Sequence, residues 1–428
     1  MGMNGAHARS APGHRHRDRT VTKSQDIRKQ KEKAILVGVA TKSVTIKMAR
    51  EHMEELGRLA ETAGAVVVDS TLQRRETLDP ATLVGAGKVE EIATMVTAHQ
   101  ADLVIFDEDL SGSQVKKLET KIACKILDRS GIILDIFAKH AKTAEAKVQV
   151  EVAQLEYMLP RLTNAWSHLS RQAGGVGIGM KGPGETQLET DKRLVRKRIA
   201  ELTKKLAKME DIRAAQHDRR LPTFHAAMVG YTNAGKSTLM NSLTKAGVEA
   251  ADKLFATLDP TTRKVYLGPK RPAVISDTVG FIRKLPVGLV SSFKSTLSVV
   301  AQATLILHVV DAHAADFEEQ MEITARILGE LCPESVPRVT VFNKIDLLDP
   351  ERLEYLRSHH PQAVFVSAEA KLGLDALKDR MLEHYEAGRF AEALGEASQA
   401  AGAAPAGMTP WNEAPGTTGG TRGEDGLG

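Results

Sequence analysis

Between residues 33 and 138, short apolar runs alternate with stretches of helical spacing. The runs at 34–38, 65–69 and 102–107 have strand length and strand composition. Their alternation with helices predicts an α/β domain over 33–139 with a largely parallel sheet. Past residue 140 the period changes. Val148, Val152, Leu155, Leu159 and Leu162 are spaced by four and three in turn, and Val195, Ile199, Leu202, Leu206 and Met209 repeat that spacing. Each set is one apolar seam on a helix, and a seam seeks a partner. Residues 140–217 are therefore expected to form an antiparallel helical hairpin. Its tip is the stretch 171–185, too rich in glycine to pack as a helix. From 222 to 387 apolar runs return at 224–229, 272–276, 338–342 and 363–366, and predict a second α/β domain with a mostly parallel sheet. The two ends carry no periodic apolar face. Residues 1–32 are crowded with Arg, Lys and His, residues 388–428 with Ala, Gly, Pro and Thr, and both are expected to be disordered.

The runs of the second α/β domain end in chemistry. Gly230, Tyr231, Thr232, Asn233, Ala234, Gly235, Lys236 and Ser237 follow 224–229 and fit the phosphate-gripping pattern G-x-x-x-x-G-K-[ST]. Glycines let successive backbone N–H groups close around phosphate oxygens, and the next helix adds unpaired donors and the positive end of its dipole. Lys236 is placed for the β and γ phosphates, and the Ser237 hydroxyl for a magnesium ion. After 272–276 come Asp277, Thr278, Val279 and Gly280. An aspartate at a strand end can hold Mg2+ through water, and the Gly280 N–H can approach the γ phosphate. After 338–342 come Asn343, Lys344, Ile345 and Asp346. The Asp346 carboxylate can accept from guanine N1 and N2, a pattern adenine does not offer, while Asn343 and Lys344 brace the base pocket. Ser367, Ala368 and Glu369 follow 363–366 and can close over the base edge. Singly these are ordinary turn sequences. Four in this order, each after a strand-like run, specify a P-loop GTPase domain with GTP as substrate and Mg2+ as cofactor.

Phe255, Ala256, Thr257, Leu258 and Asp259 open a loop-like stretch, 255–263, where a switch threonine should supply a second magnesium ligand. Thr257 lies twenty positions after Ser237 and Thr261 twenty-four, and the spacing does not choose between them. The residue after Gly280 is Phe281, where many GTPases carry a glutamine that orients the attacking water. Phenylalanine cannot do this. No catalytic side chain is therefore assigned beyond the stabilising Lys236, Asp277 and Gly280, and slow intrinsic turnover with stimulation by a partner is expected.

At 428 residues the chain is long enough for two or three domains. No apolar run approaches the length of a membrane span, and Cys124 and Cys332 are too few for a disulfide framework, which together point to a cytoplasmic protein; a monomer is expected, though nothing in the sequence fixes the oligomeric state. The net charge is only +4, but its distribution is uneven. The second hairpin helix carries Lys192, Arg193, Arg196, Lys197, Arg198, Lys204, Lys205 and Lys208, and the tip adds Arg171 and Lys181. A cationic projection ending in glycine-rich backbone suits RNA, where phosphate neutralisation dominates affinity. In the first α/β domain, Gly85, Gly87 and Lys88 form a fragment of a phosphate loop without the full spacing. A glycine turn opening a helix is the simpler reading; the alternative is a second nucleotide site serving an RNA remodeller.

The segments 128–137, 179–193 and 230–238 together resemble the HflX family of ribosome-associated GTPases, a likeness that runs over roughly 33–385. The resemblance implies a protein that binds the large ribosomal subunit and its rRNA, dissociates or rescues ribosomes, and takes some part in their biogenesis. It implies that the glycine-rich tip approaches the peptidyl-transferase region. It also makes Thr257 the preferred switch ligand, with Thr261 as the alternative, and places Phe281 within the family pattern. Family members often carry a further small C-terminal domain, whereas little that could fold follows residue 387 here. The competing function is an assembly or scaffolding factor that uses GTP only to time its release.

Overall fold

The strand β1 (Lys33–Ala40) reads Lys-Ala-Ile-Leu-Val-Gly-Val-Ala and is buried at every position but its first. A strand buried on both faces belongs in the middle of a parallel sheet covered by helices. The computed structural model, which describes residues 31–162, 183–217, 223–244, 254–255, 257–284, 299–332 and 335–388, places it there. The strands β2 (Val66–Arg74), β3 (Leu103–Phe106) and β4 (Lys125–Asp128) complete an all-parallel sheet of order β2-β1-β3-β4. The connecting helices are α1 (Ile46–Ala63), α2 (Ala86–His99), α3 (Gly112–Ile122) and, after β4, α4 (Arg129–His140). Alternation along β1 sorts the core. Ala34 and Leu36 join Leu56 and Leu59 of α1 on one face, while Ile35, Val37 and Val39 join Val89, Ile92 and Leu118 on the other. Helix starts follow the sequence: Thr45 caps α1, and Ser111 with Gln114 forms a capping box on α3.

Helices α5 (Ala144–Met158) and α6 (Pro183–His217) carry the two seams. Val148, Val152 and Leu202 form a buried cluster with Leu155, Ile199 and Leu206 packed on it. Residues 1–30 of the basic arm, 389–428 of the C-terminal tail and the glycine-rich tip through residue 182 lie outside the described residues.

The second sheet contains β5 (His225–Val229), β6 (Thr261–Tyr266), β7 (Pro272–Asp277), β8 (Leu305–Asp311), β9 (Arg338–Asn343) and β10 (Val364–Phe365), in the order β10-β9-β8-β5-β7-β6. Only the β6–β7 pairing is antiparallel. Helices α7 (Lys236–Thr244), α8 (Phe317–Leu331), α9 (Pro350–His359) and α10 (Leu374–Ala387) complete the described part of this half. The parallel strands β5, β7 and β9 all end at one edge, which is where open α/β sheets bind ligands. Each half has an apolar cluster of its own, and a further cluster is shared between them. One apolar cluster contains Ile133, Ile136 and Phe137 of α4 together with Tyr231, Phe255, Leu258, Val279, Phe281 and Ile282. Phe137 and Phe255 meet edge to face, with centroids 4.6 Å apart.

Candidate functional site

The phosphate loop leaves the end of β5 and turns into α7 at Lys236. Gly235 sits at φ +87°, and a Cβ there would fall 2.2 Å from Asn343 Nδ2, so both backbone conformation and space demand glycine. Lys236 is buried, and its Nζ donates to the carbonyls of Gly230 at 3.1 Å and Tyr231 at 2.8 Å. Burial pulls its pKa down to about 8, with the nearby Asp277 pulling the other way.

Asp277, at the end of β7, gathers the hydroxyls. Ser237 Oγ donates to Asp277 Oδ2 at 2.5 Å, Thr257 Oγ1 donates to the same oxygen at 3.0 Å, and the two hydroxyls are 2.9 Å apart. Burial pushes the Asp277 carboxyl above the usual carboxylate range, against the pull of Lys236. Two buried oxygens here, Asp277 Oδ1 and Thr232 Oγ1, have no partner among the described residues. An orphaned carboxylate oxygen beside two converging hydroxyls fits a hydrated divalent cation, and an orphaned hydroxyl in a phosphate loop fits a phosphate oxygen. Thr261 takes a different place. It begins β6, in register with Asp277 across the β6–β7 ladder. Gly280 lies against the loop: a Cβ on it would meet Thr232 Cα at 2.8 Å and Lys236 Nζ at 3.1 Å.

At the other end of the site, Asn343 acts as a crosspiece. Its Nδ2 donates to the Ala234 carbonyl at 2.9 Å, and its Oδ1 accepts the Ala368 N–H at 3.0 Å. One side chain thus ties the phosphate loop to the turn at 367–369. Lys344 adopts φ +64° and its Nζ reaches Asp311 at 2.7 Å. Asp346 is exposed on a 3-10 turn, Ile345–Leu347, Ser367 is buried and accepts the Ala370 N–H, and Glu369 is exposed. Thr278 turns its hydroxyl to the Met228 carbonyl.

Several residues expected at the nucleotide face the first sheet instead. Phe255 and Leu258 are buried in the shared apolar cluster, as are Val279 and the ring of Phe281. Asp259 accepts the N–H groups of Lys142 and Thr143 at 3.0 and 3.1 Å and the Thr143 hydroxyl at 2.5 Å. Thr143 is the cap of α5. Within this stretch Thr257 is the described residue whose side chain reaches the phosphate loop, because apolar neighbours on either side are drawn into the interface; Ala256 lies outside the described residues. Tyr231 belongs to the loop by its backbone, but its ring is buried in the same interface.

Sequence reasoning missed the polar heart of that interface. Arg129, at the start of α4, is fully buried; it donates to Asp107 at 2.7 Å, to the Arg283 carbonyl at 3.2 Å, and to Glu55. Lys284 Nζ bridges Asp107 at 2.5 Å and Glu108 at 2.7 Å. The available signal was Glu55, a charge set in the apolar stripe of α1 beside Met53, Leu56 and Leu59. In the first sheet, Gly85 is the cap of α2, and Lys88 is bonded to Glu91 at 2.7 Å and Thr71 at 3.0 Å, an arrangement of a glycine turn opening a helix. No helix among the described residues is long and apolar enough to cross a membrane.

Three family profiles match the chain: "GTP-binding GTPase N-terminal" over residues 50–138, "GTP-binding GTPase Middle Region" over 140–220, and "50S ribosome-binding GTPase" over 225–344. Among similar proteins, the GTPase HflX of Caldanaerobacter subterraneus subsp. tengcongensis is 45% identical over 372 residues, covering 86% of this chain and 83% of that protein. The GTPase HflX of Flavobacterium psychrophilum is 49% identical over 315 residues, 74% of this chain and 76% of its own length. The GTPase HflX of Escherichia coli is 43% identical over 339 residues, 78% of this chain and 79% of its own.

Proposed function

The chain belongs to the HflX family and is a GTPase, and we propose that it couples the hydrolysis of GTP to GDP and phosphate to binding and release of the large ribosomal subunit, so that ribosomes are dissociated or rescued. In this reading the backbone N–H groups of 233–237 and the Lys236 ammonium hold the β and γ phosphates. Ser237 and Thr257 would ligate magnesium, with Asp277 placed to hold it through water; the metal, when bound, would neutralise charge on the phosphate oxygens. Gly280 offers its N–H to the γ phosphate, and its lack of a Cβ lets it lie against Thr232 and Lys236. Asp346 reads guanine, and Asn343 keeps that end of the site in register with the phosphate loop. Phe281 supplies no proton acceptor, so turnover is slow until ribosomal RNA supplies or orders the missing group.

The observation that carries the reading is the position of Asp259. Two residues beyond Thr257, it takes up the backbone and hydroxyl donors at the first turn of α5, the base of the hairpin. Ordering of Thr257 by a γ phosphate and metal thereby bears directly on the hairpin that would meet RNA. Exposed Arg193, Arg196, Lys197, Lys204, Lys205 and Lys208 on α6 supply the charge for that contact. The protein would act as a cytoplasmic monomer, bound to ribosomes in its GTP form.

Sedimentation of mature ribosomes with the protein and either GTP or a non-hydrolysable analogue tests this. Free subunits should appear only with triphosphate. Intact ribosomes, with the protein confined to precursor particles, would replace the reading with that of an assembly factor timing its own release.

A further inference from the structure

Glu55 lies on α1, in the first sheet's half of the molecule, yet it is bonded into the phosphate loop. Its Oε2 accepts the Tyr231 hydroxyl at 2.6 Å, and the Tyr231 oxygen in turn accepts the Arg283 N–H at 2.8 Å. Glu55 is held by Arg129, whose Nε donates to the carbonyl of the same Arg283. Both backbone groups of Arg283 are therefore fixed by side chains that converge on one buried carboxylate. Three residues earlier in the chain is Gly280. Between them, Phe281 is stitched to the loop on both sides, its N–H donating to the Gly230 carbonyl at 3.1 Å and its carbonyl accepting the Thr232 N–H at 2.8 Å. The segment that offers a backbone donor to the γ phosphate is thus clamped at its far end by the other half of the molecule. Burial keeps Tyr231 a neutral donor, its pKa raised to about 12, so both bonds of the phenol persist across the working pH range.

From this geometry we infer that Glu55 is a positioning residue for GTP hydrolysis: acting through the Tyr231 hydroxyl, it holds residues 280–283 against the phosphate loop in the arrangement that receives a γ phosphate. The inference rests on the GTPase reading and extends it. A nucleotide without a γ phosphate makes no contact with Gly280, so the clamp should matter for the triphosphate and hardly at all for the diphosphate. The tie is reciprocal: γ-phosphate contacts that steady 280–283 also steady Tyr231 on Glu55, which strengthens the junction of the two halves.

The test uses the full-length protein with Tyr231→Phe, Glu55→Gln and the double variant. It measures affinity for GDP and for a non-hydrolysable GTP analogue, together with kcat and KM for GTP. Tyr231→Phe, which keeps the buried ring and removes one oxygen, should weaken analogue binding and lower kcat by about tenfold each, the scale of a lost hydrogen bond to a charged group, with GDP affinity held within about twofold. The loss in the double variant should fall short of the sum of the two single losses, because the Tyr231–Glu55 bond is disturbed in both. Equal losses for GDP and the analogue, additive losses in the double variant, or unchanged discrimination would each overturn the inference. Should Glu55→Gln fail to fold, Tyr231→Phe decides by itself. Wild-type protein that retains neither nucleotide would instead count against the GTPase reading.

Discussion

Replacing Arg129 with methionine should destabilise the protein far more than any exposed ion pair can. The guanidinium is 1% exposed and serves three acceptors, the carboxylates of Glu55 and Asp107 and the carbonyl of Arg283. Methionine fills much of the volume, so the loss is electrostatic: two buried carboxylates each lose a cation, and a buried carbonyl loses its donor. Breaking a buried pair by removing one partner costs about 3–5 kcal/mol. Here the lower end applies, about 3 kcal/mol, because Glu55 keeps the Tyr231 hydroxyl and Asp107 keeps Lys284. Since the residue joins the two sheets, a single cooperative urea transition followed by circular dichroism should also broaden or split. Arg198, half-exposed and paired with Glu151 at 2.7 Å, is the comparison: Arg198→Ala should cost less than about 1 kcal/mol. An Arg129→Met loss under about 1 kcal/mol, with a single sharp transition, would refute the idea that this buried network binds the halves together.

Asp346→Asn should shift preference from guanine to xanthine nucleotides, and unchanged GTP affinity in a competition assay would remove Asp346 as base reader. Thr257→Ala should weaken magnesium-dependent binding of a GTP analogue on the order of tenfold or more, while Thr261→Ala, altering a residue held in the β6–β7 ladder, should do far less; the reverse order would reassign the switch ligand. Charge reversal at Arg193 and Arg196 should weaken co-pelleting with the large subunit and flatten its salt dependence, and an unaltered slope would take α6 out of the RNA contact. Burial lowers the pKa of His308 from 6.5 to about 4, so the unfolded chain binds the extra proton first as pH falls. Its contribution to stability is intact above pH 6.5 and lost progressively towards pH 4, about 3 kcal/mol in all. The stability gap between wild type and His308→Gln should shrink by that amount between pH 7.5 and pH 4, and a gap independent of pH would refute it.

The amino-acid sequence by itself determined what depends on short-range geometry. The spacing of Gly230, Gly235, Lys236 and Ser237 defines a loop whose backbone can close on phosphate, and the unbroken apolar run of β1 defines a strand buried on both faces. The seams of α5 and α6 announce their own pairing, because periodicity records which face is buried. The tertiary structure alone decided which polar groups meet. Tyr231 occupies a position the phosphate pattern leaves free, and nothing in the pattern says that its hydroxyl meets Glu55, far away in the chain. Thr257 and Thr261 are equally plausible ligands by spacing, and they separate only because one reaches Ser237 while the other enters a strand. Phe255, Leu258 and Phe281 read as parts of a nucleotide loop, yet their apolar side chains leave water for the nearest apolar surface, the α4 face of the other half. Burial and pairing of this kind depend on how two folded surfaces come together, and no local pattern in either surface carries that information.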